Sequence, residues 1–521
     1  ALAEMGAFSG IKAHLKELEK EPGERGRLAR AYLKLCELTD QLERELANKT
    51  SGAKYDYRLL DEVIEALKAN YHDPAKIDEA KLIESAARGI CGSLDPYTSY
   101  YDEKTIEILK KEELGGKYGG IGARVAMRKD KSGNSWLTIT EPIYSGPAYR
   151  NGLRSNDMIV EIEGESTANR EVDELVRRLR GQPGTKVTFK VLRRGWQKER
   201  EYSIAREEIQ LETTQHRMLP GRIGYVKLTT FGEQDIDLVE NAVRELKDQG
   251  MKALVFDLRG NSGGYLKTAI KIASYFLERG QVVVSTRSRG EERDKRTADG
   301  NKITDAPVFM LVDDGSASAS EILAGALRDH GRAVLIGEKT YGKGSVQDLK
   351  YLKTTDEKTA VRVTIAKWFL PKGQSVEKDT HKESGIEPDI KAAAPERDLW
   401  KEAEFERLRS GDLLDGYLKE HYDKDRDLFK KLAESDGNDC ARYPGFDALY
   451  DSLKTRASKD EVREVLREYV RRRVQDEAGK PLYFDFQTDV VLQRAILESC
   501  KKASIDPKSV KEYESFAKAE K

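Results

Sequence analysis

The sequence predicts a multidomain α/β protein with helical regions at its two ends. The chain has 521 residues, which at roughly 150 residues per domain predicts about three to four domains. From Gly221 onward, short apolar strands alternate with stretches of helical period, a pattern typical of layered α/β folds. Charged residues make up 35% of the chain and apolar residues 38%, a balance that favours several small domains with solvated helices over one large globule.

Composition excludes several classes of protein. Lys and Arg number 91 against 92 Asp and Glu, a net charge of -1, so the chain lacks the field of a typical nucleic-acid binder. No apolar stretch approaches the ~20 residues that span a bilayer. The six histidines are scattered, which disfavours a histidine-rich metal site. Four isolated cysteines without C-x-x-C spacing are predicted to be buried free thiols: Cys36, Cys91, Cys440 and Cys500.

Helical patterns mark both ends of the chain. Residues 1–50 carry a leucine stripe interrupted by EPGERG, which predicts a helical hairpin. Its first residues, ALAEMGAFSG, lack the profile of a secretory signal, and we interpret them as a processed or trimmed N-terminus. A second helical region begins near Tyr57 and ends in GSLDPYTSYYDEK, where proline and turn residues stop the helix. Beyond about Pro395 the chain is charged and helical, apart from the strand-like PLYFDFQ at 481–487.

Two patterns of strands lie between these ends. Before residue 208, short strands flank one predicted helix at about 170–179, which predicts a small domain with an exposed sheet edge. Later strands are predicted at 223–228, 253–257, 282–285, 308–312 and 334–336, and helices near 235–248, 265–278 and 318–329. In layered folds of this kind, functional sites gather where strands end and helices begin.

The fragment SASAS, residues 316–320, stands directly before the last of these helices. Ser318 and Glu321 fit the capping box S-x-x-E, in which the serine hydroxyl and the glutamate carboxylate each bond a backbone amide at the helix start. A serine in this place is also a candidate nucleophile, provided that a base lies near it. The residues of this fragment leave both interpretations open.

Two lysines in GEKTYGKGSVQ are candidate bases, Lys339 and Lys343. If the segment is extended, Lys343, Ser345 and Gln347 share one face because side chains alternate along a strand. A lysine accepts a proton at neutral pH only if its pKa falls from about 10.4 to roughly 7 or 8, which requires burial away from carboxylates. The neighbouring glycines permit another segment to approach closely. A solvated lysine in a glycine-rich turn is the alternative.

The third element is the stretch DLRGNSGG, residues 257–264, at the end of a predicted strand. Its glycines can direct backbone amides into a cleft, as an oxyanion hole or a phosphate cradle requires. It contains neither the P-loop pattern nor the G-x-G-x-x-G fingerprint, which disfavours nucleotide binding.

These stretches occur with other short motifs in one fixed order, and the ordered set resembles the C-terminal processing peptidases, also called tail-specific proteases. The resemblance spans about residues 57–391. The motifs that carry it are, in order, LDPYTSYYDE, YGGIGARV, GYVKLTTF, FDLRGNSGG, GSASASEILAGAL, KTYGKGSVQ, TIAKWFLPKGQSVE and GIEPDI.

The resemblance implies a set of catalytic residues. The nucleophile of the family is the second serine of the run, Ser318 in this chain, and the base is Lys343, which follows it by 25 residues (343 minus 318). Gln347 matches the glutamine that orients the lysine amine. Serine and lysine pairs are a recognised variant of the serine, base and oxyanion arrangement. No metal or organic cofactor is required in this family.

The resemblance also implies an oxyanion hole made of backbone amides. One amide belongs to the Asn-x-Gly-Gly turn, at Gly263 or Gly264, and the other belongs to Ala319. This placement would stabilise the oxyanion that develops as Ser318 attacks, because the positive end of the helix dipole would lie beside it. On this interpretation Ser318 is both a helix cap and the nucleophile.

Residues 114–204 resemble a PDZ domain, in which a peptide adds a strand to an exposed sheet edge while backbone amides bind its terminal carboxylate. Ordinary core packing is the alternative for the apolar positions. The implied peptide-binding residues are the turn Gly120, Ile121, Gly122 and Ala123, and the pocket residues Ile121, Val125, Val172 and Leu175.

Together these observations divide the chain into five predicted segments. The implied fold is an α/β layered protease core with crotonase/Clp-like strand and helix repeats and an inserted PDZ domain. The segments are an N-terminal helical extension (1–56), a helical part of the core (57–113), a PDZ-like domain (114–207), an α/β catalytic core (208–394) and a C-terminal helical domain (395–521).

We therefore expect a serine endopeptidase that binds unstructured C-terminal tails and cleaves them with a Ser-Lys dyad. Its partners would be protein or peptide substrates, with an adaptor protein and a second copy of the chain as further candidates, and not nucleic acid. The resemblance implies an exported location, in the bacterial periplasm or cell envelope. The alternatives are a peptide-binding scaffold with an idle catalytic face, and an acyl-CoA enzyme on a related layered fold, for which we find no nucleotide pocket.

Overall fold

The computed structural model describes most of the chain, in two compact units, Ala1–Ser93 and Leu94–Lys521. The described residues are 15–34 except 17, 21, 22 and 24, then 58–106, 117–129, 133–193, 196–210, 212–377, 384–393 and 398–517. Most of the helical hairpin predicted over residues 1–50 lies outside these ranges, as does Cys36. Among the helices described, none combines the length and the apolar content needed to span a bilayer.

The described part of the first unit is helical. Helix α1 covers 25–34, α2 covers Arg58–Asn70 and α3 covers Glu79–Gly92. Asp78 begins α3, because its side chain accepts a hydrogen bond from the Lys81 amide at 3.3 Å. The helical region predicted from Tyr57 is confirmed over α2 and α3.

The second unit begins with β1 (Ser99–Tyr101), which pairs with a later strand, and continues into the predicted strand-rich domain. Its elements are β2 (Lys117–Gly120), β3 (Ala123–Lys129), β4 (Ser135–Pro142), α4 (Pro147–Arg150), β5 (Met158–Ile162), β6 (Glu165–Ser166), α5 (Val172–Leu179), β7 (Lys186–Leu192), β8 (Arg200–Ala205) and β9 (Glu207–Gln210). The sheet order is β3-β4-β5-β7-β8, so β3 lies at an edge. Leu137, Ile159, Leu175 and Phe189 are central residues of its core.

A layered α/β core follows, as predicted from Gly221 onward. Its elements are β10 (Thr214–Leu219), β11 (Ile223–Leu228), α6 (Asp235–Asp248), β12 (Ala253–Asp257), α7 (Leu266–Ser274), β13 (Val282–Ser288), β14 (Glu291–Thr297), β15 (Val308–Val312), α8 (Ala319–Asp329), β16 (Ala333–Gly337), β17 (Ser345–Tyr351), β18 (Ala360–Phe369) and β19 (Ile390–Lys391). Helix α7 is shorter than predicted, because the Tyr275 and Phe276 amides bond the third residue back and tighten its last turn.

The central sheet has the order β10-β11-β12-β15-β16-β19 and is parallel except for β10. Because side chains alternate along a strand, Leu254 and Phe256 of β12 lie in the core that contains α6, α7 and α8, whereas Val255 lies in the core on the opposite face. A second sheet joins β1, β18, β13 and β14 in that order, with β17 also paired to β18.

The C-terminal region is helical and builds its own core between α9 and α13. The helices are α9 (Leu399–Ser410), α10 (Leu413–His421), α11 (Arg426–Glu434), α12 (Phe446–Leu453), α13 (Lys459–Ala478), α14 (Val490–Lys502) and α15 (Glu514–Ala517). Phe429, Leu432 and Leu466 are fully buried there. The last two helices do not belong to this core.

Helix α14 instead covers the second face of the central sheet. Leu492 and Ile496 pack in one cluster with Val255 of β12 and Leu311 of β15. The aromatic stretch 481–487 looks strand-like in the sequence but forms no strand. Phe484 and Phe486 pack against the sheet, and the Phe484 ring lies edge-on to Tyr225 at 4.8 Å between centroids. The central sheet is therefore covered by helices on both faces. Helices of the α/β core cover one face, and a helix from the C-terminal region covers the other.

Helix α13 also contacts the strand-rich domain. Tyr149 Oη donates to the backbone oxygen of Asp476 at 2.8 Å, and Tyr144 Oη and Ser155 Oγ donate to the Asp476 carboxylate at 3.3 and 3.4 Å. Burial raises the pKa of Asp476, while the charge of Arg154 opposes this rise. The strand-rich domain is thus held from its side by the C-terminal helices.

The described cysteines are free. Cys91 and Cys500 are buried, as predicted, whereas Cys440 is partly exposed, which corrects the prediction for that residue. Cys440 lies in a short helical turn after Asp439, whose side chain accepts a hydrogen bond from the Ala441 amide. Asp439 and Ala441 are exposed, which places this turn at the surface of the C-terminal helices.

We predict that Ile496→Ala lowers the free energy of unfolding by about 2–5 kcal/mol, because it opens a cavity under the central sheet. Chemical denaturation measures the change. The control is Leu413→Ala, at a side chain 45% exposed, which we expect to change stability by about 0.5 kcal/mol at most. Equal effects of the two substitutions would contradict the packing of α14 on the sheet.

Candidate active site

The SASAS fragment ends where α8 begins, with Ser318 as the N-cap residue. Its backbone has φ 56° and ψ -112°, a conformation that costs roughly 1–3 kcal/mol for a residue other than glycine. The Ser318 amide donates to Glu321 Oε2 at 2.8 Å, so the carboxylate half of the predicted capping box is present. The Ser318 hydroxyl faces the Glu321 amide but makes no regular hydrogen bond with it.

The other two hydroxyls of the fragment have structural roles. Ser316 is fully buried and its Oγ donates to Leu258 O at 2.9 Å. Ser320 is 1% exposed and its Oγ donates to Asn261 O at 2.7 Å. Both bonds tie the fragment to the DLRGNSGG stretch. Ser318 alone of the three serines is partly exposed, so its hydroxyl is the one that a substrate can reach.

The glycines of DLRGNSGG bring this stretch against the serine. A Cβ atom at Gly263 would lie 2.9 Å from Ser318 Cβ and 3.1 Å from Ala319 N. At Gly264 it would lie 2.5 Å from Phe231 O. Both residues also have positive φ, 110° and 149°, which side-chain-bearing residues rarely adopt. The predicted proximity of the turn, Ser318 and the Ala319 amide is present in the structure.

The two candidate amides of the turn differ in their hydrogen bonds. The Gly263 amide donates to Asn261 Oδ1 at 2.9 Å, and Asn261 is itself buried and held by Leu228 O. For the Gly264 and Ala319 amides, no acceptor is found within the described part of the chain. Of the residues predicted for an oxyanion hole, Gly264 and Ala319 therefore offer free donors, whereas Gly263 does not.

Glu321 joins the serine to the lysine segment. Its Oε2 accepts from the Ser318 and Lys343 amides, at 2.8 and 2.9 Å. Its Oε1 accepts from Thr340 Oγ1 and the Gly342 amide, at 2.6 and 2.8 Å. Burial raises the pKa of the Glu321 carboxyl, and these hydrogen bonds oppose the rise. The sequence identified Glu321 only as a helix cap, since its bonds across to residues 340–343 depend on the fold.

Lys343 lies two residues before the start of β17 and is partly buried. The adjacent glycines permit close packing, since a Cβ at Gly344 would lie 2.6 Å from Glu377 Cβ. The Lys343 ammonium lies 5.2 Å from the centre of the Tyr97 ring. Burial lowers the pKa of Lys343, the positive charge of Arg362 lowers it further, and the charge of Glu321 opposes both. Among the described contacts, no hydrogen bond joins Lys343 Nζ to Ser318 Oγ.

Gln347 is not bonded to the lysine in this conformation. Its Nε2 donates to Ser345 Oγ at 2.8 Å and to Thr364 Oγ1 at 3.3 Å. Ser345 and Gln347 thus share a side of β17, although a bulge between Val346 and Gln347 interrupts regular pairing with β18. The role of Gln347 in orienting Lys343 stays a prediction.

The LDPYTSYY turn positions the aromatic ring beside the lysine. Asp95 Oδ1 accepts from the Tyr97 and Thr98 amides at 2.8 Å each, and Oδ2 accepts from Thr98 Oγ1 at 2.7 Å. Thr364 Oγ1, beside Gln347, also donates to Asp95 at 3.2 Å. Burial acts to raise the pKa of Asp95, but the hydrogen bonds, Thr98 first, hold it below its ordinary value.

The predicted peptide-binding residues surround one edge of the strand-rich domain. The turn 120–123 joins β2 to the edge strand β3, and Gly122 has φ 72° with its Cα packed close to Gly146. Ile121 and Leu175 are buried, and α5 carries Leu175 beside the edge strand. The partly buried residues that pack against them include Ala123, Val125 and Val172.

Comparison with known proteins identifies the family. A model of peptidase family S41 matches residues 222–392, and a PDZ domain model matches residues 111–192. A carboxy-terminal processing protease, CtpA of Bacillus subtilis (strain 168), is 33% identical over 348 residues, which cover 67% of this chain and 71% of that protein. The chain belongs to the carboxy-terminal processing proteases of family S41.

Two further similar proteins carry related names. A carboxy-terminal-processing protease of Bartonella bacilliformis is 35% identical over 331 residues, 62% of this chain and 72% of that one. Among solved structures, a photosystem II D1 C-terminal processing protease is 27% identical, with a TM-score of 0.42, over 64% of this chain and 92% of that chain. This peptidase is therefore of the serine type and carries a PDZ domain, and its substrates are peptides or proteins.

We predict that Ser318→Gly makes the peptidase more stable than Ser318→Ala by about 1 kcal/mol, because glycine adopts φ 56° without strain. Both variants should lose at least about 10³-fold in activity. Thermal unfolding and peptide hydrolysis measure the two effects. A glycine variant that melts below the alanine variant would show that the backbone at 318 is unstrained.

We predict that Glu321→Ala lowers the free energy of unfolding by about 2–4 kcal/mol, since two buried and two partly buried donors lose their acceptor. Activity should fall at least about tenfold because the serine and lysine segments lose a common anchor. Chemical denaturation and peptide hydrolysis test this. The control is Glu338→Ala, which removes an exposed carboxylate that lies two residues before Thr340. This variant should change neither the stability nor the activity appreciably.

Proposed function

We propose that this peptidase cleaves polypeptides with a Ser318-Lys343 dyad after its PDZ domain binds an unstructured C-terminal tail. One observation carries the proposal: a single buried carboxylate, Glu321, holds the backbone of both dyad residues. Ser318 is partly exposed at the start of α8, and Lys343 is partly dehydrated beside Tyr97. This common anchor holds the backbones of the two residues near each other, as a nucleophile and a base that act together in acyl transfer require.

The reaction begins with neutral Lys343. Ser318 Oγ attacks the carbonyl carbon of the scissile peptide, and its proton passes to Lys343 Nζ. The tetrahedral intermediate collapses as the C–N bond breaks, and the lysine gives the proton to the leaving amine. Water then attacks the acyl-enzyme ester with Lys343 again as base, which releases the carboxylate product and restores the Ser318 hydroxyl.

The amides of Gly264 and Ala319 stabilise the oxyanion in this proposal. Neither has an acceptor in the described part of the chain, and Ala319 is the first residue of α8, where the helix dipole is positive. The Gly263 amide is excluded because it already donates to Asn261. Gly263 contributes to the proposed oxyanion hole because it has no side chain, so the turn can approach Ser318 closely.

The PDZ domain supplies substrate recognition in this proposal. The turn 120–123 lies at the end of the edge strand β3, where a bound tail would extend the sheet and present its carboxylate to the turn amides. Ile121 and Leu175 form the buried floor of the pocket for the last side chain, with Val125 and Val172 at its sides. Gln347 is proposed to meet the lysine amine once substrate is bound.

We also propose an exported location, in the periplasm or cell envelope. The similar proteins of Bacillus and Bartonella are bacterial processing proteases. Fractionation of the source cells, with detection of the protein in the soluble cytoplasm alone, would refute this location.

The proposed function is tested with an unfolded substrate that ends in an apolar residue, offered with a free or an amidated C-terminus. We expect cleavage by the wild type and at least about a 10³-fold loss with Ser318→Ala. Amidation should raise KM about tenfold or more, because it removes the charge that the PDZ turn binds. Activity that survives Ser318→Ala would assign another nucleophile, and equal KM values would refute tail recognition.

The pH dependence tests the base. We expect kcat/KM to rise with pH as Lys343 loses its proton, because only the neutral amine accepts a proton from Ser318. Arg362→Gln removes a positive charge that lowers the pKa of Lys343. The pKa should therefore rise, the ascending limb should move to higher pH, and activity at pH 7 should fall.

The control for this measurement is Arg287→Gln, an exposed arginine on a strand of the same sheet, which should leave the profile in place. A profile that moves to lower pH in Arg362→Gln, or does not move, would refute Lys343 as the titrating base.

A further inference from the structure

We propose that Asp489, in the C-terminal segment, is a positioning residue for the catalytic turn. It holds the side chain of Arg259, which stands at the start of the turn that ends in Gly263 and Gly264. The residue lies outside the 222–392 match to family S41. The inference rests on the proposed function, because it concerns the oxyanion hole.

The contact between the two residues is a paired hydrogen-bonded ion pair. Arg259 Nη1 donates to Asp489 Oδ1 at 2.8 Å, and Arg259 Nη2 donates to Oδ2 at 2.9 Å. The side chains are 21% and 23% exposed, so water screens the pair only in part. A bidentate pair of this kind restrains the guanidinium plane as well as its position.

The opposite edge of the guanidinium is held by Asp257 at the end of β12. Arg259 Nε and Nη2 donate to its two oxygens at 3.0 and 2.7 Å, and the fully buried Asp257 also accepts from Tyr225 Oη at 2.6 Å. Arg259 is therefore clamped between the strand and the C-terminal segment. Without Asp489, Nη1 would lose its described acceptor and one side of this clamp would be missing.

The turn has other anchors besides the side chain of Arg259. The Gly260 amide donates to Asp313 Oδ1 at 2.9 Å, and the Ala317 amide donates to Asn261 O at 3.0 Å. These bonds connect the turn to residues 313–317, and the Asn261 side chain connects it to Leu228. The Arg259 side chain connects the first residue of the turn to β12 and to the C-terminal segment. On this inference, a shift of Arg259 reaches the Gly264 amide through the five peptide bonds that join the two residues.

Asp489 is itself held rigidly. It is the N-cap of α14, and its Oδ1 accepts from the Leu492 amide at 3.0 Å. The helix is fixed by Leu492 and Ile496, which are buried against the central sheet. The carboxylate is thus presented to Arg259 by a packed helix, and not by a mobile tail.

The test uses Asp489→Ser, because serine preserves the helix cap but is too short for the paired contact with Arg259. We expect kcat to fall about 10- to 100-fold with KM within about twofold of the wild type. A peptide aldehyde, which forms a tetrahedral adduct with the serine, should bind correspondingly less tightly. Asp489→Asn keeps the cap and one acceptor and should lie between serine and wild type, so it decides the matter if the serine variant does not fold.

The matched control is Glu468→Gln, which weakens another bidentate pair within the C-terminal helices. Arg409 donates to Glu468 through two bonds of 3.1 Å, and Arg409 is 22% exposed, close to the value for Arg259. We expect this variant to lower the melting temperature and leave kcat unchanged. Its unchanged kcat would show that loss of a salt bridge alone does not impair catalysis.

Two results would overturn the inference. A normal kcat and normal aldehyde affinity in a folded Asp489 variant would leave the pair with a purely structural role. A raised KM with unchanged kcat would assign it to substrate binding. Failure of the proposed function is distinguishable, because it appears as activity retained by Ser318→Ala with Asp489 intact.

Discussion

The proposed catalytic centre depends on the buried carboxylate of Glu321. Its two oxygens accept hydrogen bonds from the Ser318, Gly342 and Lys343 amides and from the Thr340 hydroxyl. A buried carboxylate is costly unless its oxygens are satisfied, and here four donors from two chain segments satisfy them. Because Glu321 lies in the first turn of α8, the same bonds that neutralise the cost of burial also hold the lysine segment against the start of the helix.

The strain at Ser318 is explained by the residues around it. Ser316 and Ser320 are bonded to Leu258 and Asn261, so the chain on either side of Ser318 is tied to the DLRGNSGG stretch. Gly263 lets that stretch approach to contact distance. These restraints on both sides of position 318 maintain its unusual backbone conformation. The alternating serines thus divide into two that build the site and one that is left accessible.

The C-terminal region packs against the α/β core as well as forming a core of its own. Helix α14 covers one face of the central sheet, and Asp489 at its start contacts Arg259 beside the catalytic turn. Helix α13, which precedes it, contacts the PDZ domain through Asp476. The chain between Asp476 and Asp489 therefore links the domain proposed to bind substrate tails with the turn proposed to stabilise the oxyanion, through packed elements at both ends.

The sequence by itself determined the layered α/β pattern, the order of the strands along the chain, and the residue types at the site, since these follow from hydrophobic period and from short motifs such as SASASE and NSGG. It also placed Ser318 at a helix start, because capping is local. Only the tertiary structure decided which amide of the turn is free, that Glu321 reaches residues 340–343, that Gln347 bonds Ser345 and Thr364, and that 481–487 is no strand. These depend on contacts between residues distant in the chain, for which local periodicity carries no signal.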